Sequence, residues 1–147
     1  MAQSATAHWT GARRPNGQPV TTFEVRSASG HTAIADEPPA FGDDTGMRPT
    51  EMLLGALAAC TGVNAVLLLR KYKQPFRAID IRVDGEQEDS WPHAFTRITI
   101  TFEIEWEGEF DEGQVARALD EACNRYCPVD ATLTRGTRIE VQRRDLG

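Results

Sequence analysis

The run LLGALAACTGVNAVLLL, Leu53–Leu69, is almost wholly apolar or small, and it holds a thiol, Cys60, at its centre. Its reading decides the fold. Met52–Leu69 carries no charge and is followed by Arg70, Lys71 and Lys73, a length at the lower edge of a membrane span. Thr61, Asn64 and two glycines keep it only modestly lipophilic. The rest of the chain alternates apolar and polar residues in the manner of soluble strands. The run therefore reads as a helix buried on most sides in a protein core or a dimer, with no membrane partner. Pro49 suits its first position, where the missing N–H costs nothing. Glu51 falls near the third position, where a carboxylate favours the free N–H groups. Gln74-Pro75 ends the segment, giving a helix over roughly Pro49 to Lys73.

Strand signals flank the helix. Val20–Ser27 (VTTFEVRS) and His31–Glu37 (HTAIADE) precede it, and Glu37–Pro49 reads as a loop from its Pro, Gly and Asp content. After it, FRAIDIRVDGE sets Ile79, Ile81 and Val83 on one face. FTRITITFEIEWEG does the same with Phe95, Ile98, Ile100, Phe102, Ile104 and Trp106, with one slip near Thr96-Arg97. Both predict half-buried antiparallel strands. DEGQVARALDEACNRY predicts an amphipathic helix with Val115, Leu119, Ala122 and Tyr126 on one side. CPVDATLTRG predicts a short helix with Cys127 as cap and Pro128 at its first position. TRIEVQRR, Thr137–Arg144, predicts a closing strand. The order β-β-β-α-β-β-α-α-β segregates strands from helices, so the expected class is α+β, in a single domain over residues 1–147.

Composition narrows the function. The 147 residues carry 26% charged and 40% hydrophobic side chains, ordinary for a soluble chain, and a net charge of -6. An acidic balance argues against a nucleic-acid partner, which needs a basic face. The stretch MAQSATAHWTGARR shows no apolar run of the secretory kind, so the expected compartment is reducing and cytoplasmic. Cys60, Cys123 and Cys127 form no C-x-x-C pair, and His8, His31 and His93 are scattered, which argues against a preformed metal site.

The cysteines differ in setting. Cys60 lies mid-helix with Leu53, Leu57, Asn64 and Leu67 on its face, and by itself reads as a small core residue. Cys127, at a helix start, meets N–H groups and a dipole that favour a thiolate, or it is a weak cap. Cys123 reads as core packing. Ser90–Phe95 (SWPHAF) reads as a surface hairpin, and Gly30-His31 as a structural turn.

RPTEMLLGALAACTGVNAVLLLRKYKQ and NRYCPVDATL together resemble the OsmC/Ohr family, nearest its general OsmC-like (YhfA-like) branch. The resemblance runs from SASGH to IEV, nearly the whole chain. It implies a thiol peroxidase that reduces organic hydroperoxides in oxidative-stress defence, with Cys60 attacking the peroxide and Cys127 resolving the sulfenic acid to a disulfide. It further implies no bound cofactor, an external dithiol reductant such as dihydrolipoamide or a lipoylated protein, and an intertwined homodimer with its pockets at the subunit interface. The family's activating arginine sits in a T-G-G-R turn. TGARR places Arg13 there, with Arg14 as a substitute. The partner glutamate of the Ohr form directly follows the helix proline, where this chain has Thr50. Glu51 comes one later, nine residues before Cys60, which on a helix is about half a rotation from that face. The alternative function is an OsmC-like protein that binds a small hydrophobic ligand without this catalysis.

Overall fold

A computed structural model describes residues 1–144 and Leu146. The chain forms two compact units, residues 1–53 and 54–147. In the first, β1 (Ala5–Trp9), β2 (Phe23–Ser27) and β3 (Thr32–Ala35) form an antiparallel sheet in that order. Trp9 faces Phe23 and Phe23 faces Ala35 across the ladders. The β2–β3 turn depends on Gly30 at φ 88°, a left-handed value that favours glycine.

The first unit is organised around a buried charge. Asp36, 1% exposed, follows β3 directly. Its Oδ1 accepts the N–H of Glu37 at 2.8 Å. Its Oδ2 accepts the hydroxyl of Thr22 at 3.0 Å, the hydroxyl of Thr45 at 2.6 Å, and the N–H groups of Asp43 and Thr45 at 3.2 Å each. One carboxylate thus binds Thr22, the residue before β2, to both ends of the 37–45 loop. Burial alone would push its carboxyl up, but the donors from Thr45, Glu37 and Thr22 outweigh burial and hold it well below the ordinary carboxylate range.

Helix α1 (Pro49–Lys71) begins as its sequence predicts. The Glu51 carboxylate accepts the N–H of Arg48 at 2.9 Å, the side-chain half of a capping box, with Arg48 at the cap and Pro49 at the first position. The helix is long and apolar enough to cross a membrane by length and composition. Its sequence shows no preferred face, and its apolar residues are divided. Leu57, Thr61, Ala65, Leu68 and Leu69 are buried, whereas Val63 and Leu67 are 60% and 55% exposed.

In the second unit β4 (Phe76–Gln87) and β5 (Phe95–Trp106) form an antiparallel hairpin. Every apolar residue predicted to face inward is half-buried, and their polar neighbours are exposed. The slip at Thr96-Arg97 is a bulge: Glu86 pairs with Arg97 but Gln87 pairs with Phe95, leaving Thr96 as the extra residue. A Cβ on Gly62 would stand 3.2 Å from Ile81, so the small residue lets α1 lie close on β4.

Helix α2 (Glu112–Asn124) is capped by Asp111, whose Oδ1 accepts the N–H of Gln114 at 3.0 Å. Ala65, Leu68 and Leu69 of α1 pack with Val115, Ala118 and Ala122 of α2 to make the core. Helix α3 (Pro128–Arg135) follows after Cys127.

The closing strand is a correction. Thr137–Arg144 forms no strand, and Ile139 and Val141 are 86% and 90% exposed. Alternation supplies a strand's side chains but not its hydrogen-bond partner, and among the described residues no ladder receives this segment.

Leu69→Ala, at a position with no exposed surface, is expected to cost about 3 kcal/mol in denaturant unfolding, because close-packed alanines cannot collapse into the void. Asp36→Asn turns an amide N–H toward atoms that all donate, and should cost on the order of 2–4 kcal/mol locally. Faster hydrogen exchange at the amides of Asp43 and Thr45 would report it. Because the native carboxyl is depressed, its stabilisation is full above the ordinary carboxylate range, ~3.9, and is lost as pH falls below it toward the native value. The exchange difference between wild type and variant should therefore narrow from pH 6 to pH 3.

Candidate functional site

Two sulfurs meet at the start of α3. Cys127, 3% exposed, is the cap of that helix, with extended backbone at φ -88° and ψ 105° and Pro128 next. Its Sγ accepts the N–H of Asp130 at 3.3 Å. Cys60, half-buried in the middle of α1, has the Cys127 thiol and the backbone N–H of Val129 as its neighbours. The first turn of α3 therefore brings backbone N–H groups to both sulfurs. All three cysteines are free thiols.

The electrostatics oppose one another. Burial pushes the Cys60 thiol up, and the neighbouring Cys127 thiol acts in the same direction. The Val129 N–H favours the thiolate, while the charges of Cys127 and Asp130 disfavour it. Cys123, half-buried near the end of α2, is pushed up to about 11 by burial, then by the charges of Asp130, Cys127 and Asp120. A thiol so shifted is protonated at neutral pH, and only its thiolate fraction is a nucleophile. What the arrangement can do is clear: two adjacent thiols can interchange with a disulfide, and α3 N–H groups stand ready for an anionic sulfur.

A groove of about 300 Å³ runs beside Asp130, walled by Leu57, Phe95, Ile98 and Leu133, with Arg97 also on its lining. A larger cavity of about 570 Å³ lies in the first unit, lined by Phe23, Val25, Pro49 and Met52 among others, and it contains no cysteine.

Arg13 and Glu51 belong to the first unit. The Arg13 Nη1 donates to the Gly17 carbonyl at 2.8 Å, and its guanidinium lies 5.2 Å over the Trp9 ring. Arg14 donates to the carbonyls of Pro39 at 2.6 Å and Gly42 at 3.1 Å. Glu51 caps α1, with Arg48 Nε at 4.0 Å. Among the described residues no ion pair joins Arg13 or Arg14 to Glu51. Thr50 is exposed in the first turn of α1. Trp91, 85% exposed, and His93 meet with ring centroids 4.2 Å apart and planes tilted by 59° at the tip of the β4–β5 hairpin, the surface position predicted for SWPHAF. Among the described residues no group of three or more His, Cys, Asp or Glu is placed to hold a metal ion.

Sequence reasoning missed Val129 and Asp130. Their signal was available: they are the second and third residues after the Cys127 cap, where helix N–H groups have no internal partner.

Residues 42–142 match the OsmC family model, described as OsmC-like protein. The chain is 30% identical over 118 residues to protein YhfA of Escherichia coli K12, covering 80% of this chain and 85% of that one. The fold is similar to that of an OsmC-like protein from Mycoplasma pneumoniae, at 20% identity and a TM-score of 0.69, over 91% of this chain and 88% of the other. It is also similar to an organic hydroperoxide resistance protein from Elizabethkingia anophelis, at 18% identity and a TM-score of 0.60, over 92% and 89%. At those identities the two likenesses are of fold. With the family model spanning Gly42 to Gln142, across Cys60 in α1 and the Cys127 cap of α3, the chain belongs to the OsmC family of OsmC-like proteins.

Proposed function

We propose that the protein is a thiol-dependent peroxidase acting on organic hydroperoxides. The observation that carries the reading is the neighbouring Cys60 and Cys127 thiols at the start of α3. The Cys60 thiolate attacks the terminal peroxide oxygen. An S–O bond forms, the O–O bond breaks, and the alkoxide takes a proton and leaves as the alcohol. The Cys127 sulfur then attacks the Cys60 sulfenic acid, water leaves, and a disulfide remains. An external dithiol reduces it in two exchange steps. The Val129 N–H favours the thiolate at the first step, and the apolar groove walls suit a greasy substrate. The fold likeness to an organic hydroperoxide resistance protein supports the reading. The reductant belongs to the dithiol class, dihydrolipoamide or a lipoylated protein, and the compartment is cytoplasmic.

A homodimer accompanies this proposal. Ala56, Ala59, Val63 and Leu67 form an exposed stripe on α1 at helical spacing, and Cys60 borders it. Ile139 and Val141 are exposed in a segment that pairs with no strand among the described residues. A second copy covers both surfaces.

One equivalent of cumene hydroperoxide should convert reduced protein to a Cys60–Cys127 disulfide, read by peptide mass mapping. Cys60→Ser should abolish peroxide consumption with dihydrolipoamide, and Cys127→Ser should leave a sulfenic acid that dimedone traps at Cys60. A Cys60 that never oxidises would favour the ligand-binding alternative and sink the peroxidase. Because the Cys60 thiol is raised, its alkylation by iodoacetamide should accelerate about tenfold per pH unit from pH 6 to 8. Sedimentation at micromolar concentration should give a dimer, which Val63→Glu should dissociate.

A further inference from the structure

One buried polar group on α1 has no partner. Thr61 has no exposed surface, and among the described residues its hydroxyl is the one buried side-chain oxygen or nitrogen without a hydrogen bond. A threonine in a helix has a ready acceptor one turn back. In α3, Thr132 donates to the Pro128 carbonyl at 2.7 Å and Thr134 to the Asp130 carbonyl at 2.9 Å. Thr61 makes no such bond to the carbonyl of Leu57. An unpaired buried hydroxyl costs stability that valine, of the same shape, would not. Such a group points to a partner that the chain itself does not supply.

The helix face around Thr61 leads to a groove. Leu54, Leu57 and Thr61 recur at spacings of three and four, so they share one face of α1. Leu57 lines the groove of about 300 Å³, whose other apolar walls are Phe95, Ile98, Ile100 and Leu133. Phe95 lies over the same helix face: a Cβ on Gly85 would stand 2.6 Å from the Phe95 ring and 3.3 Å from Leu54. Thr96, Arg97 and Thr134 are exposed and mark the solvent side of the groove, whereas Leu57 is buried and marks its inner end. That inner end is one helical turn from the unpaired hydroxyl, and Cys60 precedes Thr61 directly.

We propose that Thr61 is a specificity-determining residue whose hydroxyl binds the oxygen-bearing end of an apolar organic molecule entering along this groove, a hydroperoxide or the alcohol it leaves. The walls take the hydrocarbon body, and Thr61 takes the one polar atom. A molecule without that oxygen leaves the hydroxyl unpaired and gains nothing from it. The inference deepens the peroxidase reading and rests on it for the choice of oxygen function.

Its test uses ligands that cannot react. Cumyl alcohol, the product from cumene hydroperoxide, and cumene, its oxygen-free counterpart, are titrated into reduced protein and followed by NMR. Thr61→Val should weaken binding of the alcohol about threefold to tenfold and leave cumene unchanged. Thr61→Ser should bind the alcohol as wild type does. Leu133→Trp, which fills the groove from α3, should weaken both ligands. Thr61→Val should also raise the urea midpoint of the ligand-free protein by about 0.5–1 M, since it removes the unpaired hydroxyl. Should Thr61→Val fail to fold, Thr61→Ala carries the same expectation for the two ligands. Equal affinity of wild type and variant for the alcohol overturns the proposal. So does a urea midpoint in Thr61→Val no higher than that of wild type, which would show the hydroxyl already paired within the fold. Leu133→Trp without effect on either ligand overturns the groove as the route. Selective loss of alcohol binding in Thr61→Val, together with a Cys60 that cumene hydroperoxide never oxidises, leaves the site standing and removes the peroxidase reading alone.

Discussion

The second unit depends on the packing of α1 against α2 through small side chains. Ala65, Ala118 and Ala122 have no exposed surface, and Leu69 fills the space beside them. These side chains form one buried cluster, so the position of one helix constrains that of the other. That constraint matters because α2 hands the chain directly to Cys127. Only Arg125 and Tyr126 separate the end of α2 from the α3 cap, and both are tied by their N–H groups to the carbonyl of Glu121, each at 3.1 Å. Where α2 lies on α1 therefore determines where Cys127 lies relative to Cys60.

Two further interactions stiffen this path. The Tyr72 hydroxyl, just past α1, donates to Glu121 at 2.8 Å, and Arg117 donates to the same carboxylate at 2.8 Å. Arg117 also covers the Tyr72 ring at 4.8 Å. The same residue, Glu121, thus anchors α2 to the chain following α1 by its side chain and closes the turn before Cys127 by its backbone. A thiol pair made by two segments nearly seventy residues apart in sequence acquires a short mechanical connection.

Much of this was legible in the sequence where the signal was periodic or local. The β4 and β5 faces follow from alternation, and even the bulge at Thr96 appears as a break in it. The Cys127 cap follows from a Cys-Pro pair opening a polar-apolar run. The Thr137–Arg144 strand failed for a reason alternation cannot carry, since a strand requires a ladder. The Asp36 network was invisible because its donors, Thr22, Asp43 and Thr45, meet only after the loop closes on β2. The same holds for the site. Cys60 reads as core within its own helix, and its proximity to Cys127 entered only through family resemblance. Glu51, placed half a turn from the Cys60 face by counting residues, is indeed a capping residue within its own helix start.

The setting of Cys60 embodies a conflict that bears on any chemistry assigned to it. An apolar environment favours a greasy substrate and excludes water, but it also penalises the thiolate. Relief must come from fixed dipoles or from charge. The dipoles are present: α3 begins at the sulfurs and gives each an N–H. A donor of this kind is built by the backbone and cannot be lost by side-chain substitution short of altering the helix. The charges nearby work against them, since Asp130 adds to the penalty that burial and the Cys127 thiol place on the Cys60 anion. The Cys60 thiolate therefore forms only as far as the N–H groups at the start of α3 offset its apolar setting. Its reactivity is tied to where the first turn of α3 meets the middle of α1.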